Sequence, residues 1–358
     1  MNLELTDEHL ALRATVRRFL AEKASVASHV RPLLDDPTGS TDAVWQGLVS
    51  LGTTSLLIPV DHGGDGMSMI EAGIVCEELG AALHPGPWLS SAVAGSRALA
   101  RFGAEGEQAR ALRSGIADGS AIVTVAVAGD GDEVAERDGL LRGEIGQVPD
   151  AAAADVLLVV SGAMLYAVPL PHPHVRVTQI PGIDNTRKKF GVSFDDAPAR
   201  LLATADDFAA EALVDDIVVG WAADALGAAR QILEMTVEYA KARHQFGVPI
   251  GSFQAVAHLC ADMYETVELA RSGILHALWA ADFADRAERH RAALRVKAFA
   301  GRLAAVGDQA IQVFGGIGFT WEHDAHLYLK RLLSFSRLHT SPEVALEQLG
   351  RDLVRTAS

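Results

Sequence analysis

Two short runs carry the side chains best suited to gripping an anionic, ring-bearing molecule. The first is Arg243-His244-Gln245-Phe246-Gly247-Val248-Pro249-Ile250-Gly251-Ser252-Phe253-Gln254-Ala255-Val256. Arg243 stands at the end of a helical pattern, just before a glycine that breaks it. A guanidinium there can pair with a pyrophosphate through forked, charge-assisted hydrogen bonds. Phe246 lies three residues on and offers an aromatic face to a ring system. The second run is Gln312-Val313-Phe314-Gly315-Gly316-Ile317-Gly318-Phe319-Thr320-Trp321-Glu322-His323. Gln312 offers both a donor and an acceptor to an adenosine. Gly315 and Gly316 lack a Cβ, so a ligand can approach their backbone closely. These glycines neither follow a strand nor open a helix with dinucleotide-fingerprint spacing, which argues against a Rossmann site. An arginine near a helix end is often only a solvated residue at the negative pole of the helix dipole. The pairing of the two runs is what raises Arg243 to a site residue.

The elements that position these runs read as three parts. Residues 1–119 are helical: Thr6 caps a helix carrying Leu10, Leu12, Val16, Phe19 and Leu20, a second helix starts near Asp42, and a third covers about 68–83. Between the second and third lies Gly63-Gly64-Asp65-Gly66, too glycine-rich for a regular element. Residues 120–208 change character. Short β-type runs such as 121–127 and 156–160 alternate with turn residues and predict a small antiparallel β-domain. Residues 209–358 are helical again. Phe253, Val256, Cys260, Met263, Val267, Ala270, Ile274 and Leu278 mark one face of a long helix. Helices at about 211–242, 285–313 and 323–336 join it in a bundle, and Thr340 and Glu343 have capping-box spacing for a last helix.

Composition sets limits on partners. The chain of 358 residues carries a formal charge of −15, which repels nucleic acid and anionic membranes. No apolar run is long enough to span a bilayer. The acidic N-terminus, Met1-Asn2-Leu3-Glu4, has no signal-peptide core. Only two cysteines occur, Cys76 and Cys260, both inside apolar helical patterns. A disulfide framework is not expected, and a reducing, cytoplasmic setting is. His323 and His326 beside Glu322 and Asp324, with no cysteine nearby, are read as a helix start rather than a metal site. His172 and His174 are read as an exposed loop.

The two runs resemble the flavin-contacting stretches of the acyl-CoA dehydrogenase family. The order of helical domain, β-domain and helical bundle matches as well, and so do the loop 63–66 and Asp184-Asn185-Thr186-Arg187. The resemblance covers essentially the whole chain. It implies an α+β fold: an N-terminal helical domain, a small antiparallel β-domain and a C-terminal four-helix bundle. It implies FAD as cofactor. Arg243, Phe246, Gln312, Gly315 and Gly316, with Gln245 and Gln254 in a lesser role, would reach across a subunit interface to hold the ADP part of a neighbour's FAD.

The other half of a family site is eroded. The turn that cradles the flavin ring corresponds to Thr124-Val125-Ala126-Val127-Ala128-Gly129-Asp130, of which only fragments survive. A strand that brings an aromatic to the ring corresponds to Gly143-Glu144-Ile145-Gly146-Gln147-Val148-Pro149, which has none. The chemistry needs a carboxylate base next to the thioester carbonyl. One family position for it falls on Leu338-His339-Thr340-Ser341-Pro342, with no acid, and the other on Ile217. Asp215 and Asp216 are its neighbours; Asp216 is rotated away by about 100°. Asp224 lies two turns on. We therefore expect no catalytic residue in this chain. It would be the non-catalytic subunit of an α2β2 acyl-CoA dehydrogenase, an oxidoreductase of lipid metabolism resembling those that desaturate CoA thioesters of steroid side chains. The partner subunit would carry the base and most of the acyl-CoA pocket, and an electron-transfer flavoprotein would fit as acceptor. Two alternatives stay open: a complete homo-oligomeric enzyme with an unusual base such as Asp224, and a flavin-free structural or regulatory subunit.

Overall fold

In the computed structural model, which describes residues 4–129, 131–206 and 208–357, helices precede strands and strands precede helices. Asp130, the end of the stretch beginning at Thr124, and the N-terminal Met1, Asn2 and Leu3 lie outside the described residues. The first helices are α1 (Asp7–Lys23), α2 (Asp42–Ser50), α3 (Met69–Ala81), α4 (Ser96–Arg101) and α5 (Gly106–Ala117). The Thr6 hydroxyl accepts the His9 N–H at 3.3 Å, the expected cap on α1. Two π-helical stretches, Val26–Val30 and Leu89–Gly95, join them.

Eight strands follow: β1 (Val123–Val127), β2 (Glu133–Arg137), β3 (Leu140–Pro149), β4 (Val156–Ser161), β5 (Met164–Pro169), β6 (Val175–Ile180), β7 (Lys189–Pro198) and β8 (Arg200–Thr204). They form two sheets, in the orders β1-β4-β5-β8 and β2-β3-β7-β6. Inner-face residues of both, including Leu141, Ile145, Leu157, Tyr166, Phe190 and Val192, make one apolar core. Pairing is antiparallel except between β1 and β4, where Val123 stands opposite Val156 in a parallel register. A parallel neighbour needs a long crossover, and β2 and β3 of the other sheet supply it.

The C-terminal part holds α6 (Ala209–Ala242), a hairpin of β9 (His244–Gln245) and β10 (Val248–Pro249), then α7 (Gln254–Phe283), α8 (Arg286–Ala298), α9 (Ala300–Phe314), α10 (Ala325–Ser336) and α11 (Pro342–Ala357). The single helix expected over 285–313 is thus two, broken at Phe299 without a proline to mark it. The cap of α11 also differs by one residue: the Ser341 hydroxyl, rather than Thr340, accepts the Val344 N–H at 3.3 Å. Among the described residues, no helix is long and apolar enough to cross a membrane.

The chain forms two compact units. The first joins the segment ending at Ala21, Gly73–His84 and everything from Val218; the second joins Glu22–Ala72 and Pro85–Ile217. In the first unit, α3 and α6 approach so closely that a Cβ on Gly227 would lie 1.7 Å from the Glu77 carbonyl oxygen, so only glycine fits. Charged groups tie the same helices together. Glu77 accepts from Arg13 (2.9 Å), Arg230 (3.2 Å) and Arg271 (3.1 Å). Glu78 accepts from Arg17 (2.8 Å) and Arg230 (3.1 Å). Burial works against the Arg271 guanidinium, but Glu77 and Glu268 hold its pKa above the ordinary value. Deeper still, Arg331 Nη1 lies 3.0 Å from both carboxylate oxygens of Asp224, and each side chain is 1% exposed. Charges this deep persist only when paired.

Candidate functional site

At the end of α6 the chain turns into the β9–β10 hairpin, with Gln245 opposite Val248 and His244 opposite Pro249. Its tip is Phe246-Gly247, with φ of +54° and +85°. Two consecutive left-handed residues make the tight turn that suits a two-residue hairpin. Glycine adopts that backbone without cost; phenylalanine is held there at a cost of about 1–2 kcal/mol. Yet the Phe246 ring is 93% exposed, and Phe253 meets it edge-on at a centroid distance of 6.1 Å. A strained backbone that holds an aromatic ring in water gains nothing within the chain. It is suited to a ring or surface supplied from outside.

Arg243 is fixed through its backbone and not through its side chain. Its N–H donates to the Tyr239 carbonyl and its carbonyl accepts the Ile250 N–H, both at 2.8 Å. The exposed guanidinium has no hydrogen bond or ion pair among the described residues. Gln245 is exposed and donates to the His244 carbonyl at 2.8 Å, and Gln254, also exposed, opens α7.

The second run closes α9. Gln312 is exposed on its last turn, and Gly315 and Gly316 follow, exposed as well. Gly315 has φ +64° and ψ −143°, a region essentially reserved for glycine. A Cβ on either glycine would meet nothing within 4 Å, so both present bare backbone to open space. Phe314 anchors this turn. Its ring lies between Tyr239 at 4.8 Å and His323 at 4.4 Å. Tyr239 is also the residue whose carbonyl holds Arg243, so one aromatic contact brings the end of α6 to the end of α9. The sequence reading missed Tyr239, although it lies one helical turn before Arg243. His323 and His326 are engaged separately: His323 Nδ1 accepts the Ala325 N–H at 3.1 Å, and His326 packs edge-on to Trp321 at 4.7 Å.

The two glycines should respond differently to a methyl group. Gly315→Ala forces a left-handed extended backbone on alanine and is expected to cost about 1–3 kcal/mol, read as a lower thermal midpoint. Gly316→Ala meets no such strain and should leave the midpoint unchanged while hindering ligand approach. Equal midpoints for both variants would contradict the assignment.

The stretches read above as eroded are occupied with internal work. Thr124 is fully buried, and its hydroxyl donates to the Pro149 carbonyl at 2.6 Å, so it joins β1 to β3. Stretch 143–149 lies in β3, whose pairing with β7 is interrupted between Leu141 and Gly143 and again between Ile145 and Val148. Ile145 and Val148 point into the core. On the other face lies a groove of about 620 Å³, lined by Gly143, Glu144, Gly146, Arg176, Thr178 and Ser193 among others, and no aromatic ring lines it. The residues present do not suit a flavin ring there.

The acids Asp216 and Asp224, near the position weighed above for a base, are each paired with arginine. Ile217 is buried at 6% exposure. Asp216 is held by Arg97 Nε at 2.7 Å and by Arg101 Nε at 2.7 Å and Nη2 at 2.9 Å. Asp224, the base considered for a complete enzyme, is paired with Arg331 deep in the first unit, with its side chain 1% exposed. Leu338 is buried and His339 has φ +56°, so the segment before α11 is a tight turn without an acid.

Comparison with known proteins bears on the family and the fold. The model described as "Acyl-CoA dehydrogenase, N-terminal domain" matches residues 6–120, and that described as "Acyl-CoA dehydrogenase, C-terminal domain" matches 219–354. The acyl-CoA dehydrogenase IpdE2 of Mycobacterium tuberculosis is 33% identical over 348 residues, spanning 97% of this chain and 98% of its own length. A chain of the Tcur3481–Tcur3483 steroid ACAD, solved as a variant, superposes with a TM-score of 0.88 at 26% identity and covers 98% of this chain and 99% of its own. A chain of the ChsE4–ChsE5 complex from Mycobacterium tuberculosis gives 0.87 at 27% identity, with 99% of each chain covered.

Proposed function

Because the chain belongs to the acyl-CoA dehydrogenase family, we propose that it is the non-catalytic subunit of a hetero-oligomeric acyl-CoA dehydrogenase and completes a flavin site whose catalytic half lies on another chain. FAD is the cofactor. When bound, it supplies the acceptor for the hydride that leaves an acyl-CoA thioester as its α,β double bond forms. In this reading the present chain takes no part in the proton transfer. Arg243 holds the pyrophosphate, Phe246 covers a ring of the cofactor, Gln312 meets the adenosine, and Gly315 and Gly316 let it approach their backbone. Gln245 and Gln254 line the same edge. The partner contributes the base, the contacts to the flavin ring and most of the thioester pocket.

One contrast carries this reading. The side chains suited to a neighbour's cofactor stand exposed, and the Arg243 guanidinium has no partner among the described residues, whereas Thr124 is bonded to its own chain and a buried isoleucine stands at the base position. Random loss of an enzyme's function would not be expected to spare only the outward-facing half. The structural neighbours, the Tcur3481–Tcur3483 steroid ACAD and the ChsE4–ChsE5 complex, support an α2β2 assembly acting on the CoA thioester of a steroid side chain. By family resemblance, an electron-transfer flavoprotein would take the electrons onward.

Arg243→Ala in the assembled complex tests the assignment. A charge-assisted bond to a pyrophosphate contributes roughly 1.5–3 kcal/mol, so FAD affinity should fall by one to two decades. Flavin retained after dilution and gel filtration is the readout. Unchanged retention, with the oligomer intact, would make this chain a flavin-free structural subunit.

A further inference from the structure

Away from the hairpin and the groove, the first unit contains a cavity of about 180 Å³ where α1, α3, α6 and α7 meet. Leu5, Ile74, Leu226, Ile274, Leu275 and Leu278 give most of its wall, and Arg13, Arg271 and Glu77 give its polar part. We propose that this cavity binds a short aliphatic carboxylate, with its chain among the leucines and isoleucines and its charged end at Arg13 and Arg271.

Three observations lead there. The first is charge. Glu77 and Glu78, both buried, are surrounded by four guanidinium groups, those of Arg13, Arg17, Arg230 and Arg271. Glu234 and Glu268, which pair with Arg230 and Arg271, are about half exposed and lie where water screens them. Arg17 is likewise 53% exposed, so the buried part of the cluster is Arg13, Arg230 and Arg271 against Glu77 and Glu78, one positive charge in excess, which favours an anion over a neutral or cationic guest. The second is an unmet donor. Arg13 Nε is buried and makes no hydrogen bond; its approach to Glu78 at 3.8 Å is too long for one. A carboxylate oxygen would relieve that cost. The third is shape and lining. At roughly 30 Å³ per water, the space equals about six water molecules, the size of a carboxylate of about four or five carbons. Water itself would find few polar partners along the apolar wall.

The cavity is built from residues that the flavin reading does not use, so the proposal stands or falls separately from it. Pentanoate, pentanol and pentylammonium, titrated calorimetrically into the full chain, vary the head group while keeping the tail. Pentanoate should bind saturably at one per chain, pentanol at least tenfold more weakly, and pentylammonium not at all. Arg13→Gln should weaken pentanoate about tenfold or more, the loss of a charge-assisted contact. Ala223 lines the cavity at 1% exposure, and Ala223→Leu should abolish binding by filling it. Leu275→Phe does the same from α7 if that variant fails to unfold cooperatively. No saturable heat from pentanoate up to roughly 10 mM overturns the proposal. Equal affinity for pentanol, undiminished binding by a folded Arg13→Gln protein, or binding by a folded cavity-filled variant also overturns it.

Discussion

Asp224→Asn is expected to destabilise the chain by about 3–5 kcal/mol and to leave the pH dependence of turnover in the assembled enzyme unchanged. Arg331 is 1% exposed and supplies the positive member of the pair. It also donates to the His84 carbonyl, at 3.3 Å. Neutralising Asp224 therefore leaves a positive charge in the interior with its counter-charge removed. The cost should appear as a lower denaturant midpoint with an unaltered slope. A paired substitution, Asp224→Leu with Arg331→Met, should recover part of it, because a buried ion pair is costly to break and cheaper to replace outright. If Asp224 were instead a catalytic base, the asparagine variant would stay folded and flavin-loaded while turnover fell by about a thousandfold.

The chain purified alone should be colourless and inactive with added FAD, whereas the assembly with its partner should hold one FAD per pair of unlike chains. On the proposed function, each chain of this kind offers the outward half of a flavin site and lacks a working inward half. Two copies cannot complete a site between them. A competent partner completes one: its inward half meets Arg243, Phe246 and the 315–316 backbone. The other interfacial position would combine the partner's outward half with β1 and β3 of this chain, where Thr124 is bonded to Pro149 and no ring lines the groove. That position should be empty, so an α2β2 tetramer would carry two flavins in four chains. Native mass spectrometry with flavin absorbance decides it. A yellow homotetramer with one flavin per chain, bleached by an acyl-CoA, would overturn the proposed function.

Much of this arrangement was legible in the residues. Apolar spacing gave α7 its face, and Met263, Val267, Ala270, Ile274 and Leu278 are all buried. The change of composition near residue 120 marked the onset of strands. The types and order of Arg243, Phe246, Gln312, Gly315 and Gly316 singled out two runs, and all five residues are exposed in the structure. Sequence did not disclose what depends on distant partners. Asp224 and Arg331 are 107 residues apart, and neither position announces the other. Periodicity shows that β1 is a strand but not that its neighbour is β4, or that the pairing is parallel. The absence of an acid at Ile217 could be read directly. The inward turn of the Thr124 hydroxyl could not, because it depends on Pro149 of another strand. The near-complete exposure of Phe246 was hidden as well, since an aromatic in an apolar context is by default a core residue.

The division of the chain into interleaved segments sets an order on its synthesis. Every residue of the second unit has left the ribosome by Ile217, while the first unit has by then only its two short early segments. Arg13 and Arg17 of α1 and Glu77 and Glu78 of α3 belong to those early segments. Their remaining partners, Arg230 and Arg271, emerge later, and Arg331 later still. The nascent protein thus passes through an interval in which one unit has its full sequence and the other is an open set of charged and apolar helix faces, the kind of surface that chaperones cover. The last segment to be made closes that unit and also carries both runs proposed to face the cofactor. A chain stopped early would therefore lack its outward edge and the core that supports it.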